Sequence, residues 1–175
     1  MPIDAAGPLD GVLATPLIDH HCHGVSPAEL DFAAFQALFS ESYRPAPAGT
    51  TEFQKPLGLA IRRFCAPVLD LPASCKAEEY VERRRVLGAA EANRRFLRNS
   101  GLESLLIDTG HRSASILDVP AMAEAAARPA REVVRIEAVI EEVARSGVSA
   151  TAFPDALADR LAERAKDAVG LKTIV

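Results

Sequence analysis

The chain has 175 residues, 49% of them hydrophobic and 25% charged, with a formal net charge of −4. That is enough for one ordinary domain with a real core, and too apolar for a disordered chain. The acidic balance speaks against nucleic acid and anionic membrane surfaces as partners.

Cys22, Cys65 and Cys75 are too few and too unevenly spaced for a disulfide framework, and an odd count suits a reducing compartment. No CxxC pair is present, so a structural zinc ribbon is excluded. The start, MPIDAAGPLDG, has neither a basic segment nor an apolar run, and nowhere is there an apolar stretch long enough for a membrane span. A soluble, cytoplasmic chain is expected.

Residues 1–11 read as an irregular lead-in, and the apolar pair Leu17-Ile18 as a short buried strand near 16–20 that opens into a loop at Asp19. Ser26-Pro27-Ala28-Glu29 has the form of a helix start, with Ser26 as the cap. "RPAPAGTT" (44–51) is a loop, and "LGLAIRRFCAPVLDLPAS" a short helix interrupted by Pro67 and Pro72. Lys76 to Asn99 reads as one long charged helix, with Glu79–Arg83 and Glu91–Arg95 as i,i+4 pairs and Ser100-Gly101 ending it. The interleaved glutamates make "ERRRVLGAAEANRR" a solvated helix face and not a nucleic-acid site.

Beyond residue 100 the rhythm changes. Apolar runs at 103–108, 131–137 and 169–175 alternate with helical segments, including "VIEEVARSG" and "AFPDALADRLAERAKDA". Strands recurring at roughly 30–40 residues with helices between them predict βαβ units and a parallel sheet. The fold class expected is therefore α/β: four β/α units, the N-terminal half of a TIM-like (β/α)₈ barrel, since a complete barrel takes about 250 residues. About 80 residues separate the first two strands, far more than a crossover needs, so residues 24–100 are expected to be a helical insertion over the mouth. Within it, Arg62 and Arg63 either meet a substrate carboxylate or form salt bridges on a helix face. A last strand with no helix to cover it leaves an open sheet edge, a surface through which the chain would form a homo-oligomer.

Three of the four histidines fall in "LIDHHCHG". On an extended segment, residues two apart point the same way, so His21 and His23 can converge on one ion while His20 and Cys22 face elsewhere. Neutral imidazole suits zinc, iron and manganese, and the carboxyl end of a first strand is where barrel chemistry is placed. Two other readings stay open for this segment: an ordinary polar loop, and a Cys22 nucleophile, which geometry disfavours because adjacent strand residues point apart. Asp108 and Glu137 would end strands 2 and 3 on the same face. They are candidate acid, base or substrate-binding groups, or plain loop caps, and Arg135 by strand alternation could pair internally with Glu137. His111 is either a third ligand or a solvated loop histidine.

"LIDHHCHG" resembles the strand-1 HxH signature of the amidohydrolase superfamily, specifically the amidohydrolase-related (amidohydrolase 2) proteins. "LGLAIRRFCAPVLDLP", "NRRFLRNSGLESLLIDTG", "REVVRIEAVIEEVA" and "VGLKTIV" resemble bacterial members close to the amidohydrolase-like half of fungal proteins that carry a glutamine-synthetase-like second half. The resemblance runs over most of residues 16–175. It implies a metal-dependent hydrolase, in some members a decarboxylase or hydratase, with His21 and His23 as the first two metal ligands. Lys172 falls where many superfamily members carry a metal-bridging carbamylated lysine; a plain polar contact is the other reading. The family's later ligands, histidines on strands 5 and 6 and an aspartate on strand 8, have no match here, so the chain alone is expected to be inactive. A small-molecule substrate and a divalent ion, zinc first, are the expected partners. The alternative is a non-catalytic half-barrel that acts as an association partner.

Overall fold

A computed structural model of the chain describes residues 11, 15–40, 47 and 49–174. The expected lead-in over 1–11 falls outside them save Gly11, as do residues 44–46 and 48 of the expected loop. In chain order the elements are β1 (Leu17–Cys22), α1 (Phe32–Ala37), α2 (Pro56–Ala60), α3 (Ala77–Leu87), α4 (Ala89–Asn99), β2 (Leu102–Asp108), α5 (Val119–Ala126), β3 (Ala130–Arg135), α6 (Ile136–Arg145), α7 (Phe153–Ala165) and β4 (Gly170–Lys172). They sort into two compact units, one of residues 1–23, 101–110 and 128–175, the other of 24–100 and 111–127.

The first unit holds the sheet. All four strands are parallel, in the order β1-β2-β3-β4. Strand order equal to chain order means that no crossover reverses direction, which is how a barrel winds and a doubly wound sheet does not. The β1–β2 ladder slips between Asp19 and Cys22, where Asp19 pairs with Leu105 and Cys22 with Ile107. One extra residue on β1 makes a bulge, and bulges re-aim the side chains that follow them.

β3 stops at Arg135 and α6 begins at the next residue, so Glu137 lies in the first turn of a helix and not at the end of a strand. No glycine, proline or asparagine marks that junction. Val139 and Val143 of α6 pack with Val134 of β3, all three buried, and Phe153, Leu157 and Leu161 of α7 close over them. Each fully buried valine stabilises by about 1.5–3 kcal/mol, which holds both helices to the sheet. Arg160 of α7 donates to Glu142 of α6, and Arg164 to Glu132 of β3 at 2.6 Å. β4 is brief because β3, its one ladder partner, ends at the Arg135–Lys172 pair.

The second unit is helical, and its described residues contain no strand. Its core is Phe35, Phe53, Leu69, Tyr80, Val81 and Ala92, with Phe32, Phe39 and Phe96 packed around them. Phe53 is fully enclosed and stacks on Phe35 and Phe32 at centroid separations of 5.9 and 5.5 Å.

Several helix ends differ from expectation. The first helix starts at Phe32, because Asp31 accepts from the Ala34 N–H at 2.8 Å and takes the capping role assigned to Ser26. Glu29 instead accepts from the Ala89 N–H and caps α4. The long helix over 76–99 breaks at Gly88, whose φ of +82° only glycine adopts readily, into α3 and α4. Arg83 turns away from Glu79 to Asp70, at 2.8 Å, while Glu91–Arg95 forms at 2.8 Å. Among the described residues no helix is long and apolar enough to cross a membrane.

Candidate metal centre

The carboxyl ends of β1 and β2 bring His21, His23 and Asp108 together. One ring nitrogen from each histidine and a carboxylate oxygen of Asp108 lie within 4.8 Å of one another. The two rings meet edge to face, 5.3 Å between centroids. His23 Nδ1 is 3.0 Å from the main-chain carbonyl oxygen of Asp108. A carbonyl can only accept, so Nδ1 carries the proton and Nε2 the lone pair. Metal-ligating histidines are commonly oriented through such an N–H to a carbonyl. Upstream, the Asp19 carboxylate accepts from the His21 main-chain N–H at 3.2 Å and pins the bulged segment.

Asp108 is fully buried and surrounded by donors. Gly110 N–H reaches Oδ1 at 2.9 Å, Arg135 Nη2 reaches Oδ2 at 2.6 Å, and Arg135 Nε spans both oxygens at 3.2 and 3.1 Å. Lys172 Nζ adds a contact to Oδ2 at 3.1 Å. Arg135 and Lys172 are register partners on β3 and β4, so their side chains leave the sheet on the same side. Burial drives the Asp108 carboxyl upward, but the Arg135, Gly110 and Lys172 hydrogen bonds together outweigh it and hold the group at about 2. Gly110 is required here: a Cβ would lie 2.4 Å from Arg135 Cβ.

Lys172 Nζ also lies 2.9 Å from His21 Nε2. An ammonium can only donate, so His21 accepts through Nε2. Glu137 is placed elsewhere. Its Oε1 accepts from the Thr173 hydroxyl at 2.5 Å and the Ile174 N–H at 2.9 Å, and these two bonds hold its carboxyl below the usual range. Arg135 thus makes its ion pair with Asp108, and Glu137 fastens the chain just after β4.

His20 is exposed on β1. Cys22 directs its thiol at the Leu106 carbonyl oxygen, 3.7 Å away, and burial, helped by the Asp19 charge, pushes it up to about 11. A thiol so rarely ionised makes a poor nucleophile. His111 is exposed and belongs to the helical unit, as do Arg62 and Arg63. Arg62 is committed to the main chain, donating to the carbonyls of Cys75 at 2.6 Å and Ser74 at 3.0 Å. The member of the cluster that sequence reasoning assigned to another pair is Arg135. Its signal was an arginine at the end of an apolar strand, two sheet positions from another strand-end carboxylate.

No protein-family model matches the sequence, and no curated protein matches it. Among solved structures, the chain is similar to a "putative metal-dependent hydrolase" from Lactobacillus casei ATCC 334, with 23% identity and a TM-score of 0.66 over 95% of this chain. The match takes in 44% of the other chain, so this sequence spans less than half of that protein's length. The likeness establishes a shared fold.

Proposed function

We propose that the chain is the first half of a metal-dependent hydrolase of the amidohydrolase superfamily, built on a (β/α)₈ barrel of which β1–β4 are the first four strands. The observation that carries this reading is the convergence of His21, His23 and Asp108 at the carboxyl ends of adjacent strands. Two neutral imidazoles and a carboxylate form a donor set that fits a divalent ion, zinc first. Such an ion supplies Lewis-acid polarisation of a substrate carbonyl and activation of water at neutral pH.

The chain's own residues prepare that chemistry. The Asp108 carbonyl fixes the His23 ring and its tautomer, and Asp19 fixes the main chain at His21. Arg135, with Gly110 and Lys172, keeps Asp108 ionised and aimed, so its carboxylate is available at neutral pH. The substrate class is a small molecule with a hydrolysable C–N or related bond. The three cysteines are free thiols, which supports a cytoplasmic setting.

Elemental analysis of purified protein tests the reading. Metal that co-purifies with the chain and is lost in His21→Ala supports it; a chain that takes up no divalent ion when supplied with excess zinc sinks it. Sequencing past the codon for Val175 tests the half-barrel part, which requires further strand-end histidines and a late aspartate.

A second reading, a half-barrel acting as an association partner, draws support from the sheet edges. Among the described residues β1 and β4 each pair on one side only, and Leu17, Ile18, Leu171 and Ile174 on or beside them are 51–59% exposed. Light scattering after size exclusion tests it: a dimer dispersed by Leu171→Arg supports self-association through that edge, and a monomer at all concentrations removes it.

A further inference from the structure

Lys172 is in direct contact with two groups of the candidate centre. Its Nζ lies 2.9 Å from His21 Nε2 and 3.1 Å from Asp108 Oδ2, between two of the three groups that would hold the ion. Both neighbours present lone pairs to it, and Nζ brings the positive charge. The ring nitrogen of His21 has one lone pair, in the plane of the ring. It can be given to an ammonium proton or to a metal ion, but not to both. Asp108 Oδ2 already receives Arg135 Nη2 at 2.6 Å and Arg135 Nε at 3.1 Å beside Lys172, so an ion there would take the place of the lysine while the guanidinium stays. The conflict is sharpest at His21, whose single lone pair cannot be shared.

We propose that Lys172 is a built-in stand-in for the cation: in the metal-free protein its ammonium holds His21 and Asp108 in ligating position, and the incoming ion displaces it from His21. This inference rests on the reading of His21, His23 and Asp108 as a metal centre. Three features of the site fit the assignment. The proton that Lys172 donates selects the His21 tautomer with its lone pair on Nε2, so the ring is already in its ligating form. The Asp108 carboxylate keeps Arg135 and Gly110 as partners when Lys172 leaves, so the departure strands no buried charge. Lys172 is about one-quarter exposed, so its long side chain has solvent to swing into. Arg135 lacks that freedom, being sealed against Asp108 with 12% of its side chain exposed.

The consequence is competition, and it has a sign. Removing the ammonium should strengthen metal binding, because the ion no longer pays for breaking a charge-assisted hydrogen bond to His21. The expected gain in Lys172→Met is about tenfold in zinc affinity, the worth of one such bond. A lysine that ligates the ion as its carbamate would do the opposite, and Lys172→Met would bind more weakly.

The experiment is zinc titration by calorimetry on wild type, Lys172→Met and His21→Ala, with circular dichroism to confirm that each is folded. Tighter binding in Lys172→Met supports the stand-in; equal or weaker binding overturns it while leaving the metal centre intact. No binding by wild type or Lys172→Met overturns the hydrolase reading and this inference with it. Should Lys172→Met fail to fold, the wild-type protein still decides the matter through reductive methylation read by mass spectrometry. Saturating zinc should raise labelling of Lys172 several-fold as the amine is released, whereas protection or no change by zinc overturns the proposal.

Discussion

Arg135 and Asp108 face one another fork to fork across β2 and β3, with Nη2 2.6 Å from Oδ2 and the carboxylate wholly enclosed. A buried ion pair is weak testimony for stability as a whole, because desolvation offsets much of the attraction. Breaking it is another matter. Arg135→Met leaves a buried carboxylate with only Gly110 and Lys172 for partners, and urea denaturation should show a loss of about 3 kcal/mol, the lower end for a stranded buried charge. A loss below about 0.5 kcal/mol, the level of an ordinary surface change, would mean that Lys172 and solvent replace the guanidinium without penalty.

The same pair makes stability depend on pH in a defined direction. The folded-state carboxyl of Asp108 sits at about 2, below its ordinary 3.8. A depressed folded value means the contribution is fully present above the unfolded value and disappears as pH falls from about 4 to about 2. Glu137 and Asp70 are shifted the same way, so Asp108→Asn should flatten the acid limb of the stability–pH curve without abolishing it. Chemical denaturation at pH 6, 4 and 2.5 on both proteins provides the comparison, and curves of equal steepness would show that Asp108 is not the group responsible.

What could be read from the sequence, and what could not, follows from the range of the forces involved. The pairing of His21, on β1, with His23, one residue past it, was legible because two positions so close in sequence can meet without a distant partner. Asp108 was legible as the polar end of "LLID", an apolar run that had to stop somewhere near solvent or a site. The Arg135–Glu137 relationship was not, because the residues "RIE" carry no breaker and suit a strand end and a helix start equally. Whether they pointed to the same side depended on where the helix began, and that was settled by packing of Val139 and Val143 on Val134. The capping of α1 failed for a similar reason: Ser26 and Asp31 are both good caps, and Asp31 lies next to the aromatic residues that must enter the core. The likeness to the Lactobacillus casei structure, at 23% identity, shows a shared fold and says nothing of these side chains.

Glu137 has a role of its own away from the candidate centre. It sits in the first turn of α6, where a negative charge is favoured by the helix dipole, and its Oε1 gathers the Thr173 hydroxyl and the Ile174 N–H. Its Oε2 is buried without a hydrogen bond among the described residues. Glu137→Ala should therefore free the segment after β4 at a cost of about 1 kcal/mol. Amide exchange at Ile174 reads this directly: faster exchange confined to that end is expected, and unchanged protection would mean that the strand is held by its ladder alone.

Cys22, the last residue of β1, tests the thiol reading against the metal reading of the same segment. With its thiol pushed up to about 11, the thiolate fraction at pH 8 is about a thousandth. Iodoacetamide should label Cys22 far more slowly than an ordinary exposed cysteine at that pH, and Cys22→Ser should leave zinc uptake as it was. Rapid labelling at neutral pH would reopen the case for a nucleophile.

His20 is exposed on β1 beside His21 and lies outside the group whose ligand atoms converge. His21 meets Lys172, and with His23 and Asp108 forms the candidate centre. His20→Ala should then leave zinc affinity within about twofold of wild type, whereas His21→Ala and His23→Ala should each lower it by about tenfold or more through loss of a ligand. His20 and His21 are exposed and His23 is half-buried, and none of the three belongs to a buried core cluster, so a stability defect is not expected to confuse the result. Equal losses for His20 and His21 would mean the segment binds metal as a flexible polyhistidine tract, and the geometric case for a barrel-mouth centre would fall.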